Sequence, residues 1–323
     1  MSFSPQITVT APARLHMGFL DLSSSLGRHF GSIGIALNEI STRLILSNSD
    51  ERRITGPSAQ RADRCLTQLC TALNVPDKVS ITIETAIPEH VGLGSGTQMA
   101  LAIGSALNAY YNLNLSVREI ASVMDRGLRS GIGIGIFEHG GLVVDGGRGE
   151  KTVTPPVLVH LELPSDWRFI LVFDKRWQGL HGSQEIAAFQ ALAAFPRLEA
   201  EHLCYLLLMQ ALPAVAENDL KQFGQVISEL QLAVGSHFAL AQGGIYASQD
   251  VAKAMAWLTG QGAVAVGQTS WGPTGFCAVE NTEQAEKIQQ LAKAEFLAAT
   301  NLEFVVVSAN NKKGDSRLQI SPV

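Results

Sequence analysis

Residues 88–98 read Pro-Glu-His-Val-Gly-Leu-Gly-Ser-Gly-Thr-Gln. They stand between an alternating β-branched stretch, Ser80 to Thr85, and a segment in which Met99, Ala102, Ile103, Ala106, Leu107 and Tyr110 repeat at helical spacing. A glycine-rich turn from strand to helix lets the backbone approach a ligand closely. It also leaves the first helical amides unpaired at the positive end of the dipole. That combination makes an anion site, most naturally for phosphate; a purely structural turn is the plainer alternative. The loop is not a Walker A motif, since it lacks the lysine, and its G-x-G-x-G spacing departs from the dinucleotide fingerprint.

Phosphate recognition must be local, because 24 Lys and Arg against 29 Asp and Glu leave a net charge of −5. This balance excludes the basic footprint of a nucleic-acid binder. The 323 residues, 46% hydrophobic and 16% charged, suffice for a large core and roughly two domains. The longest apolar run, Tyr205 to Ala216, is broken by Gln210 and Pro213 and falls short of the ~20 residues of a membrane span. The amino terminus alternates like a strand, without the basic and apolar regions of a leader. Cys65, Cys70, Cys204 and Cys277 form no C-x-x-C pair or zinc spacing, which suits reduced thiols in a cytoplasmic protein.

Short alternations at Gln6–Val9, Arg43–Leu46 and Ser80–Thr85 begin an antiparallel sheet. Helices follow from about Thr97 and, behind a Ser116 cap, over Val117–Arg126, before strand returns at Gly140–Val144 and extended chain at Lys151–Leu163. Arg168–Phe173 reads as a strand, then Ser183–Leu192, Leu198–Glu217, Asn218–Val234 and Asp250–Leu258 as helices. Ala263–Val266 and Gly275–Val279 read as paired strands, Thr282–Phe296 as a helix and Leu302–Val307 as a closing strand. Strands and helices mix without βα alternation, which predicts an α+β fold of two lobes, residues 1–165 and 166–323.

Pro88 with Gly92-Leu-Gly-Ser-Gly-Thr97 resembles the PxxxGLGSS phosphate loop of the GHMP kinase superfamily. The resemblance extends to Ala11-Pro-Ala-Arg-Leu-His16, to Ser130-Gly-Ile-Gly133 with Gly140-Gly141, and to the glycine-containing loop Gly267–Gly275. It implies a ribosomal protein S5 domain 2-like first lobe and a ferredoxin-like second lobe. The kinases carry S-G-x-D where this chain ends in Gly133, so their base-assisted phosphoryl transfer is disfavoured here. Arg14–Asp21, Gly27-Arg-His-Phe-Gly-Ser-Ile-Gly34, Gly94–Gln98, Arg129–Gly133 with Phe137-Glu138, Gly140–Asp145 and Gly267–Thr274 are similar to the β-ribofuranosylaminobenzene 5′-phosphate synthase branch, which serves methanopterin biosynthesis. The resemblance implies condensation of 4-aminobenzoate or 4-hydroxybenzoate with phosphoribosyl diphosphate, with loss of CO2 and diphosphate, and also Mg²⁺ and a homodimer. An ATP-dependent small-molecule kinase or diphosphomevalonate-decarboxylase-like enzyme, and a non-catalytic sensor of a phosphorylated ligand, are the competing expectations.

Within this reading Arg14, His16, Glu138 and Asp145 are the catalytic candidates. Gly92, Gly94, Ser95, Gly96, Thr97 and Gln98 form the phosphate loop, with Ser95 and Thr97 also suited to Mg²⁺. Arg28, Ser130, Lys175, Arg176, Glu185 and Trp271 are the further binding candidates, and Asp21 is a nearby acid. Structural alternatives stand beside these roles: an ion pair for Arg14 and Arg28, a solvated basic pair for Lys175 and Arg176, a core histidine for His16, helix caps for Ser95 and Thr97, interlobe packing for Trp271.

Overall fold

The computed structural model describes residues 3–176 and 192–322. β1 (Phe3–Asp21) and β2 (Phe30–Asn48) form a long antiparallel pair of nineteen residues each, so the short alternations at Gln6–Val9 and Arg43–Leu46 are only its middle. Register shifts between Pro12 and Arg14 and between His16 and Gly18 bend the pair where two candidate side chains sit. β2 continues the sheet twice. Arg43–Asn48 pairs with β4 (Val79–Thr85), and Ser32–Ile35 pairs with β5 (Leu142–Asp145). β3 (Arg53–Thr55) and β6 (Val157–Leu161) extend those two arms.

The second sheet is antiparallel with order β10-β7-β9-β8, from β7 (Arg168–Asp174), β8 (Val264–Gln268), β9 (Gly275–Val279) and β10 (Leu302–Ser308). The expected division at 165/166 needs one correction. β11 (Asp315–Pro322) leaves the second lobe and pairs with Phe3–Thr10 of β1, so the last strand completes the first sheet.

α1 (Ala59–Leu73) and α2 (Ser95–Tyr111) cover the first sheet, burying Leu66, Leu69, Leu101 and Ile103 against Ile7, Val9, Leu44 and Ile81. Each such side chain contributes roughly 1.5–3 kcal/mol on leaving water. α3 (Val117–Val123) opens on the capping box of Ser116 and Glu119, and α4 (Ile132–His139) is buried from Ile132 to Phe137. Beyond β7, α5 (Arg197–Leu206) passes through a π-helical turn, Leu207–Ala211, into α6 (Leu212–Ala216). α7 (Leu220–Gln242) starts at its Asp219 cap; α8 (Gln249–Gly260) and α9 (Thr282–Glu295) back the second sheet. The helix expected over Ser183–Leu192 lies, but for its last residue, outside the described residues.

α7 ties the lobes together. A β-carbon on Gly18 would sit 1.9 Å from Leu230 Cδ2, and Gln231 Nε2 donates to Met17 O at 2.5 Å. One apolar core therefore runs from Leu15, Met17 and Phe19 through Phe223 and Leu230 to Phe276. No helix among the described residues is long and apolar enough to cross a membrane.

Candidate functional site

The glycine-rich loop adopts the conformations its residues predict. Gly92 and Gly94 have φ of 83° and 79°, and α2 begins behind Gly94 with no side-chain cap. Its first-turn amides thus keep the vacancy that suits an anion. The loop is held from behind by the late loop 267–275, whose Ser270 shares the left-handed region (φ 56°) with His90 of the glycine loop (φ 61°). The two backbones touch: a β-carbon on Gly92 would lie 2.4 Å from Thr269 O, and one on Gly272 would lie 2.5 Å from Gly92 N. Thr269 Oγ1 donates to Gly92 O at 3.0 Å and accepts from His16 N at 3.0 Å, while Thr274 Oγ1 donates to Val91 O at 2.8 Å.

Arg14 completes this joint. Its Nη1 donates to Gly92 O and to Ser270 Oγ, both at 3.2 Å, and its amide donates to Leu93 O at 3.0 Å. His16 is 2% exposed, and its Nε2 is buried without a hydrogen-bond partner among the described residues. Burial, then the Arg14 charge, pushes its pKa well below the ordinary value, so the imidazole is neutral. It lines a cavity of about 30 Å³ together with Trp271. That is about one water's volume. Trp271 is buried and packed on Phe238 of α7 at 4.5 Å between ring centroids.

On the front of the loop the structure adds residues absent from the sequence reading. Arg61 of α1 donates from Nη1 to Ser95 Oγ at 2.9 Å and pairs with Glu89 at 2.7 Å. A β-carbon on Gly96 would lie 3.5 Å from Arg61 Nη1 and 3.7 Å from Arg126 Nη1, so two guanidinium groups flank the start of α2. Arg126 Nε is buried without a hydrogen-bond partner among the described residues. The available signal was the helical recurrence of Ala62, Cys65, Leu66, Leu69 and Cys70, which makes residues 59–73 a helix and sets Arg61 on it.

Gly133 lies against the same turn. A β-carbon there would approach Thr97 Cγ2 to 3.0 Å, and Gln98 Nε2 donates to Gly133 O at 2.7 Å. Gln98 is wholly buried with Oε1 unpartnered. Asp145 lies behind the α4 N-terminus, wholly buried. Its Oδ2 accepts from Ser32 Oγ, from Gly131 N at 2.9 Å and from Ser130 Oγ at 3.3 Å, and its Oδ1 accepts from Gly147 N at 2.8 Å. Burial raises its pKa despite these donors.

The remaining candidates sit elsewhere. Glu138 pairs with Arg118 at 2.9 Å and faces His139, a tie between α3 and α4. Lys175 pairs with Glu303 at 3.1 Å, and Arg176 joins Asp174 at 3.0 Å and Asp250 at 2.5 Å at the end of β7. Burial alone raises the Asp174 carboxyl, but bonds from Arg176, Ser248 and Asn301 outweigh it and hold it at about 2. Glu185 lies outside the described residues. Arg28 donates to Gly146 O and Gly147 O beside a separate, larger cavity. Among the described residues no three His, Cys, Asp or Glu side chains come together to hold a metal. Of the two hydroxyls expected to suit Mg²⁺, Ser95 Oγ accepts from Arg61, and Thr97 turns its methyl to Gly133.

The site can therefore hold a polyanion against amides and arginines, with no carboxylate at the Gly133 position. Residues 60–141 match the family described as GHMP kinases N terminal domain, and residues 211–296 match GHMP kinases C terminal. Homoserine kinase from Cytophaga hutchinsonii shares the fold with a TM-score of 0.66 at 19% identity, covering 97% of each chain. Mevalonate diphosphate decarboxylase from Staphylococcus aureus does so at 0.65 and 16% identity, over 97% of this chain and 98% of that one. The β-ribofuranosylphenol 5′-phosphate synthases of Archaeoglobus fulgidus and Methanocaldococcus jannaschii are 35% and 34% identical, over 70% and 69% of this chain and 75% and 76% of theirs. Within the GHMP kinase superfamily, the chain belongs to the family of these synthases.

Proposed function

We propose that the protein is a β-ribofuranosylphenol (or aminobenzene) 5′-phosphate synthase, joining 4-hydroxybenzoate or 4-aminobenzoate to phosphoribosyl diphosphate with release of CO2 and diphosphate. The observation that carries this reading is the likeness to the named synthases over more than two thirds of their length. The product in the name of those relatives, a ribofuranosylphenol, favours the hydroxyl-bearing acid.

The electron balance agrees with Gly133. The ring carbon bearing the carboxylate attacks ribose C1, and the C1–O bond breaks with its electron pair leaving on diphosphate. The bond to the carboxylate then returns its pair to the ring as CO2 departs. No net proton moves, so the reaction needs no base where the kinases keep one. What it needs is charge stabilisation at the leaving group and a fixed approach of the ring. In this reading the α2 amides with Arg61 and Arg126 take the diphosphate, and Arg14 holds the loop that presents them. Magnesium then travels with the diphosphate rather than with protein ligands.

The test is incubation with Mg²⁺, phosphoribosyl diphosphate and each carboxyl-labelled arene, following CO2 and diphosphate beside an ATP-hydrolysis control. Matched release of both without ATP is expected. ATP turnover on an alcohol with no CO2 release would return the protein to the kinases, and silence in both would leave a ligand sensor.

A further inference from the structure

A cavity of about 540 Å³ opens between the β1–β2 turn, the end of β5 and α5, well within the 300–1,000 Å³ range of small-molecule sites. Leu20, Leu26, Phe30, Pro156 and Leu158 give it apolar walls, and Arg28 and Asp21 place one charge of each sign on its lining. We infer that this cavity takes the aromatic acid, its carboxylate on Arg28 and its para hydroxyl on Asp21. The assignment rests on the synthase reading for the identity of the arene.

Arg28 is already fixed. Its Nε donates to Gly146 O at 2.9 Å and its Nη2 to Gly147 O at 3.0 Å, while Nη1 lies beside Gly149, 3.2 Å from where a β-carbon there would sit, with no hydrogen-bond partner among the described residues. A single exposed guanidinium contact orients a carboxylate without gripping it in both oxygens, as the departure of that group as CO2 requires. Asp21 lies near Cys204 of α5, whose thiol is raised by burial and then by the Asp21 charge. Its Oδ1 is occupied by Ser23 N, Ser23 Oγ and Ser24 N, whereas Oδ2 has no partner among the described residues. A carboxylate accepting from the para hydroxyl strengthens electron release to the ring carbon that attacks, so Asp21 serves both fit and rate. The second carboxyl on the lining, Asp145, accepts from Gly131 just before α4, and Gly133 two positions on lies against Thr97, so a chain of direct contacts links the cavity wall to the start of α2.

Calorimetric titration of 4-hydroxybenzoate and of benzoate into the full chain, with steady-state kinetics, tests this. Arg28→Ala is expected to weaken both arenes about tenfold or more, with KM for phosphoribosyl diphosphate unchanged. Asp21→Asn is expected to weaken 4-hydroxybenzoate but not benzoate, and to lower kcat. Leu158→Trp, at a position 65% exposed and so tolerant of bulk, fills the cavity and removes arene binding. Unchanged arene affinity in Arg28→Ala and Leu158→Trp overturns the assignment. If the wild type binds 4-hydroxybenzoate through Arg28 yet releases neither CO2 nor diphosphate, the synthase reading falls and the cavity stands. Turnover unaffected by either variant has the reverse meaning.

Discussion

Gly92→Ala probes the joint between the two glycine loops. Gly92 has φ 83°, a region that costs an L-residue roughly 1–2 kcal/mol. Its new β-carbon would lie 2.4 Å from Thr269 O and 3.1 Å from Gly272 Cα, where ordinary contact begins at 3.4 Å. Both neighbours are backbone, so the loops must part by about 1 Å, a displacement that costs about 10²-fold when it reaches a reacting geometry. Parting also lengthens the bonds to Gly92 O from Thr269 Oγ1 and Arg14 Nη1, now 3.0 and 3.2 Å, each worth about 1 kcal/mol. A stability loss of about 3–4 kcal/mol in urea unfolding and a fall of about 10²-fold in diphosphate release are expected. Gly243→Ala is the control. It carries a similar φ, 82°, but its β-carbon would meet nothing within 4 Å among the described residues, and so it destabilises less. A Gly92→Ala protein that keeps kcat within threefold of wild type, with an unfolding midpoint equal to that of Gly243→Ala, would refute the argument that the joint positions the phosphate loop.

Three further outcomes are expected. Gly133→Asp restores the kinase residue on paper but crowds Thr97 at 3.0 Å, so it loses about 1–3 kcal/mol of stability and gains no ATP hydrolysis; an active kinase from this change would count against the role given to that position. Arg61→Ala raises KM for phosphoribosyl diphosphate about tenfold or more while leaving that for the arene, as measured by initial rates at saturating co-substrate. His16 has a folded pKa lowered from 6.5, so the unfolded chain takes up the proton first and stability falls as pH drops below 6.5, by up to about 1.4 kcal/mol per unit. Urea unfolding at pH 7.5 and 5.5 reads this slope, and His16→Gln flattens its own share of it.

The sequence exposed the glycine loop because strand alternation, glycine and helical spacing all change within a few residues there. The cap at Ser116 was equally readable, since a cap is a local bond. α1 escaped notice although its apolar face recurs regularly. Its start at Ser58 has φ 58° and no side-chain cap, so nothing local announces it, and Arg61 went with it. Glu138 and Arg176 stood close to informative residues along the chain, yet α4 turns the first toward Arg118 and the end of β7 sets the second on Asp174 and Asp250. Neighbourhood in sequence carried no information about neighbourhood in space. The return of β11 to β1 had no local signal, because strand partners more than three hundred positions apart leave no mark on either segment.

The contact between Gly92 and Thr269 sets a clock on the making of the protein. The two residues are 177 positions apart, and at about 5–20 residues per second a ribosome needs roughly 10–35 s to travel from one to the other. Through that interval the nascent first lobe carries a phosphate loop with nothing behind it. Its first strand waits longer still, with one edge open until the last strand emerges. An anion that orders the loop early would therefore act as a folding aid before it acts as a substrate.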